Sequence, residues 1–126
     1  MLAQLLQYND VGLLLLRITI AIIFLYHGLP KLSKAKAMSA MMGMPAGMIF
    51  MLGMVEILAS LGISFGVFTQ VSALFLAIVM VGAIGMKAMK WYVPFAAMDK
   101  TGWEFDLILL FASIAVLLGG GGSIGI

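Results

Sequence analysis

The chain has 126 residues, a net charge of +2, 64% hydrophobic residues and only 10% charged ones. A soluble domain usually carries about 25% charged residues, so this composition points to lipid as the solvent and to one compact membrane domain spanning 1–126. There is no cysteine, which excludes disulfides, thiol chemistry, Fe–S clusters and cysteine-based zinc sites, and a single histidine excludes a bis-His haem or multi-His metal site within one chain.

Met1–Asp10 is mildly amphipathic and has no Lys or Arg. A secretory leader needs a basic start and a small-residue cleavage site, so the first apolar stretch is expected to remain as a helix. Asn9 or Asp10 is expected to cap it, and Pro30, which lacks an N–H, to end it. The first span is thus predicted over about 11–29. Ser33–Pro45 reads as a basic, Met-rich connector, a loop or short interfacial helix. Further spans are predicted over about 46–65, 71–86 and 103–118. Between the last two, Lys87, Lys90, Trp91, Tyr92 and Lys100 form the Lys and aromatic mixture that headgroups select. Gly119–Gly122 reads as a helix stop leading into a flexible tail. The expected fold is all-α, an integral membrane four-helix bundle with up-down topology.

All six lysines fall in the first and third connectors. Positive loops stay cytoplasmic, so both termini are expected outside.

Arg17 and Glu56 are ionisable residues inside spans, and such groups need partners. Arg17 precedes Pro30 by thirteen residues, about 20 Å of helix, and Glu56 follows Pro45 by eleven, about 16 Å. If the two prolines mark one membrane plane, an Arg17–Glu56 pair is expected. Glu56, Ser60 and Ser64 share a stripe. His27 lies at a helix end, where an imidazole either satisfies the last carbonyls or relays protons near neutral pH. Thr101 and Glu104 have capping-box spacing. Asp106 lies past that box, at the same end as His27, Lys31 and Lys87, and an inward carboxylate there is expected to pair with one of them. Twelve methionines are read as flexible apolar filler, and no metal is assigned.

These residues occur in a recognisable order. Arg17 is followed by His27-Gly28 and Lys31-Leu32, then Val55-Glu56-Ile57-Leu58-Ala59-Ser60-Leu61-Gly62, then Gly102 and Glu104-Phe105-Asp106-Leu107. The chain resembles the DoxX family of small bacterial and archaeal four-helix membrane proteins. The resemblance implies a membrane subunit near redox chemistry, since one relative is the membrane part of a thiosulfate:quinone oxidoreductase and others belong to oxidative-stress complexes. The positions matching the pattern are Arg17, His27, Gly28, Lys31, Glu56, Glu104 and Asp106.

The expected site therefore draws on Arg17, His27, Lys31, Glu56 and Asp106 as ligand-binding or proton-relay residues. Gly28, Thr101 and Glu104 are expected to be structural. The pocket is expected between the first, second and fourth spans, because the third carries almost no polar group. A greasy pocket with a few convergent polar groups suits a quinone, held without a covalent bond. The alternatives are a small proton- or ion-coupled transporter and a structural assembly protein. Membrane lipid is the expected partner, with a soluble oxidoreductase or a second copy of the chain, and no nucleic acid.

Overall fold

The computed structural model describes residues 2–120 and 122–123. A 3₁₀ segment, Leu2–Tyr8, runs into α1 (Asn9–Ser33). Then follow α2 (Ala35–Met42), α3 (Ala46–Phe65), α4 (Thr69–Gly85) with a π-type turn over Met86–Lys90, and α5 (Trp103–Gly119). The described residues thus form five α-helices rather than four, the additional one being the short α2 in the basic connector. Three helical stretches among them, Leu2–Ser33, Ala46–Phe65 and Thr69–Lys90, are long and apolar enough to cross a membrane.

α1 packs on α3, α3 on α4, α4 on α5, and α5 closes the ring on α1. The contacts fix the directions. Lys31 meets Glu56 while Arg17 meets Ile63, so α1 and α3 are antiparallel. Gln70 Nε2 donates to the Leu117 carbonyl and Lys87 meets Asp106, so α4 and α5 are antiparallel too. Inside the ring, Ile20, Phe24, Ile63, Leu76, Leu109 and Val116 form the core. Outside, large apolar side chains such as Leu15, Ile22, Leu58, Phe75 and Ile108 are exposed on every helix of the ring. Such a surface is at home in hydrocarbon, where a helix keeps its backbone hydrogen bonds within itself.

Three local expectations are corrected. Pro30 does not end α1: the helix continues to Ser33, and the Pro30 carbonyl accepts the Lys34 N–H at 2.7 Å. Proline removes only its own bond to the carbonyl four residues back. That carbonyl belongs to Tyr26, on the exposed face. Asn9 and Asp10 do not cap α1, because the preceding turn already runs into it and Tyr8 holds the cap position. Asp10 instead accepts the Ser123 N–H at 3.1 Å. The Thr101–Glu104 capping box does not form either. Gly102 caps α5 without a side-chain bond, Glu104 is exposed, and the Thr101 hydroxyl accepts from Lys87. The expected flexible tail falls largely on Gly121 and 124–126, outside the described residues.

Candidate functional site

Lys31 and Glu56 form the centre of the site. Lys31 Nζ lies 2.7 Å from each oxygen of the Glu56 carboxylate. Their helices approach so closely because glycines stand at the crossing. A Cβ placed on Gly53 would lie 2.8 Å from Lys31 Cβ and 2.9 Å from the Gly28 carbonyl oxygen. Glu56 is 1% exposed, and Lys31 supplies the partner that a buried carboxylate needs.

A second pair faces the same space from the other hairpin. Lys87 Nζ, in the turn after α4, is 2.8 Å from Asp106 Oδ2 on α5. The oxygen has no aligned hydrogen-bond donor, so the attraction is charge pairing without a directed bond. Lys87 spends its donors elsewhere, on the Thr101 hydroxyl at 3.0 Å and the Thr101 carbonyl at 3.4 Å. Its ammonium also lies 5.9 Å from the centre of the Phe105 ring, within cation–π range.

His27 belongs to the same cluster. Its ring stands 5.5 Å from the Phe105 ring and 5.4 Å from Tyr26. Among the described residues no partner hydrogen-bonds its imidazole. Both ring nitrogens therefore remain available to a ligand.

These groups converge on a cavity of about 500 Å³. Phe24, Phe105, Leu109 and Trp91 supply apolar wall, and Met38, Met42, Met44, Met48, Met80 and Met86 supply flexible thioethers. The mouth is bridged on one side, where Trp91 Nε1 donates to the Met42 carbonyl at 3.0 Å and Lys90 Nζ to the Gly43 carbonyl at 3.2 Å. The volume lies in the usual range for sites of small organic ligands, about 300–1,000 Å³.

The structure thus brings His27, Lys31, Glu56 and Asp106 together. Gly28 lies beneath them, 3.2 Å from Glu56 Cβ to its own ideal Cβ, and Thr101 lines the rim. Arg17 is elsewhere. Its Nε donates to the Ile63 carbonyl at 2.9 Å and an Nη to Ser64 at 3.4 Å. Those carbonyls belong to the last turn of α3, where a cation complements the helix dipole. The expected Arg17–Glu56 pair is therefore replaced by a Lys31–Glu56 pair and an arginine-capped helix end. The third span was also expected to stay out of the pocket. Instead α4 lines it with Ile78, Val79, Met80, Gly82 and Ala83. Those are apolar and small residues, and a search for polar groups passes over them.

The fold and site define a multi-pass helical membrane protein with paired charges set in an apolar cavity. The DoxX family model matches residues 12–93, and the chain belongs to the DoxX family. A protein of Bacillus subtilis (strain 168) named "Putative oxidoreductase CatD" is 31% identical over 114 residues, covering 88% of this chain and 81% of its own length. No solved structure matches. The family match ends before α5, so Phe105 and Asp106 complete the site from outside the matched segment.

Proposed function

We propose that this chain is the membrane subunit of a redox complex and that its cavity takes the ring of a quinone. The observation that carries this reading is the unpartnered His27 imidazole, set between two Lys–carboxylate pairs in an otherwise apolar cavity. A quinone ring is flat and apolar, with a carbonyl acceptor at each end. Lys31, Lys87 and His27 are donors for those carbonyls. Phe105 and the methionines supply ring contacts. Reduction to the quinol takes two electrons and two protons. The electrons would come from a soluble oxidoreductase partner, and in this reading Glu56 and His27 pass the protons. The name of the Bacillus subtilis relative points in the same direction.

A photoactivatable azidoquinone tests the reading in reconstituted protein. Labelling is expected on α1, α4 and α5 around the cavity, reduced at least fivefold by His27→Ala and by excess unlabelled quinone. Labelling spread over lipid-facing residues and indifferent to His27→Ala would defeat it. Glu56-dependent proton flux in liposomes without any partner would instead establish a transporter.

In this reading the protein lies in the cytoplasmic membrane of a prokaryote, with the lysine-rich end and the cavity mouth toward the cytoplasm and both termini outside. The absence of cysteine makes the orientation easy to measure. In intact cells a membrane-impermeant maleimide is expected to label Gln4→Cys and to spare Met38→Cys. The reverse pattern means the orientation is inverted.

A further inference from the structure

The cavity has a side as well as a mouth. α3 and α4 are joined by a short turn and run antiparallel from it, touching closely where Gly62 meets Ser72. Counting away from that contact, Glu56 comes level with Ile78, Leu52 with Gly82, and Met48 with Met86. All six line the cavity, so the two helices stand on either side of it toward the lysine-rich end. The rim of this gap is open to the exterior: Met48 is 51% exposed, Ile78 57%, and Gly82 is exposed as well. Ile78, Gly82 and Met86 follow one another at single-turn spacing along one edge of α4. At Gly82 an added Cβ would meet nothing within 4 Å. A glycine that no packing contact requires, at the narrowest side chain of an open rim, leaves a passage. The rim is wholly apolar. It opens onto the surface that the exposed side chains of α3 and α4 assign to lipid. The other approach, from water, is bridged on one side by the Trp91–Met42 and Lys90–Gly43 hydrogen bonds.

We propose that the gap between α3 and α4 is a lateral portal through which a lipid-borne ligand enters the cavity from within the bilayer, its apolar tail remaining in the gap, and that Gly82 sets the width of that portal. The proposal rests on the reading that the cavity receives a membrane ligand. It does not depend on the ligand's being a quinone.

The test needs no quinone. In the cysteine-free chain, Met80→Cys places one thiol in the cavity wall. The protein is reconstituted in vesicles and alkylated either with a bilayer-soluble pyrene maleimide or with a charged, water-borne sulfonate thiol reagent. The lipid-borne reagent is expected to react at least tenfold faster. Gly82→Phe should slow it at least tenfold, because the ring fills the gap. Lys90→Ala, which removes the Lys90–Gly43 bridge and leaves the cavity wall intact, should leave it unchanged. Helical content and melting temperature are checked for each variant, and Gly82→Leu serves if the phenylalanine variant does not fold. Faster labelling from water, accelerated by Lys90→Ala and indifferent to Gly82→Phe, overturns the portal and makes the mouth the entrance. Efficient disulfide cross-linking of two Ile78→Cys chains in the membrane also overturns it, since a second copy would then close the gap. Portal-dependent labelling in a protein that fails to bind azidoquinone would refute the quinone and leave the portal standing.

Discussion

Glu56→Leu alone is expected to lower the melting temperature sharply, and Lys31→Met added to the same chain is expected to restore more than half of the loss. The two groups are 2.7 Å apart, with side-chain exposures of 15% for Lys31 and 1% for Glu56. Removing the carboxylate leaves an ammonium in an apolar wall with no acceptor, and breaking a buried pair in this way costs about 3–5 kcal/mol. The slight exposure of Lys31 places the value toward the lower end of that range, because the stranded ammonium can tilt toward the mouth. Replacing both partners removes the penalty and leaves two apolar side chains of suitable length in an apolar site. Thermal unfolding followed by circular dichroism in mild detergent reads the effect. If the double variant melts with Glu56→Leu, the pair is not an isolated unit and another group must depend on the Glu56 carboxylate.

The correction at this pair shows what the sequence could and could not carry. The apolar runs, the lysine clusters and the intramembrane acids were legible one residue at a time, because each is a matter of composition. Partner choice was not, because it depends on how far one helix is displaced along another. Taking Pro30 and Pro45 to mark one plane puts Arg17 opposite Glu56. In the structure Gly28 stands beside Glu56 and Gly53 beside Lys31, so Pro45 lies some nine residues, about 14 Å, beyond Pro30 along the bundle. The displacement is made by α2, which packs on α3 and α1 between the two prolines. A basic connector of this length can be read as a loop or as a helix. Only the helix, lying alongside α3, raises Pro45 past the end of α1. The signal for Arg17 was present, though weak: Ser64-Phe65-Gly66 reads as a helix end, and helix ends attract cations.

The cavity was half legible for a related reason. Polar residues mark a pocket in a lipid-soluble sequence because every one of them needs an explanation. His27, Lys31, Glu56 and Asp106 could therefore be grouped by the end of the bundle they share. The apolar wall carries no such mark. Ile78 and Gly82 on α4 are indistinguishable in composition from lipid-facing residues, and they line the cavity because α3 and α4 part after their shared turn. The six cavity methionines were legible as filler and not as a cluster. They come from α2, the link after it, the start of α3, α4 and the π-type turn, elements brought together by the fold alone.

Gly53→Ala is expected to destabilise the protein by about 1–3 kcal/mol, the usual cost of forcing an extra carbon into a close-packed contact, and Gly53→Leu to prevent assembly of the α1–α3 pair. The new Cβ would lie 2.8 Å from Lys31 Cβ and 2.9 Å from the Gly28 carbonyl oxygen. The second of these is backbone within a helix and cannot turn aside. The helices must then separate, and separation draws Lys31 Nζ away from the Glu56 carboxylate, so the variant loses packing and part of the ion pair together. Gly28→Ala is the graded comparison, since its nearest contacts are 3.2 Å away, to Glu56 Cβ and Ile57 Cγ1. It should cost less than Gly53→Ala. Gly47→Ala, also on α3, meets nothing within 4 Å and should be neutral or slightly stabilising, because alanine favours a helix over glycine by about 0.5–1 kcal/mol. Melting temperatures of the three alanine variants are therefore expected in the order Gly53→Ala, Gly28→Ala, Gly47→Ala, from lowest to highest. A Gly53→Ala chain that melts with the Gly47→Ala chain would mean that α1 and α3 part without cost. The Lys31–Glu56 geometry would then have to be held by the ion pair itself rather than by the glycine crossing beneath it.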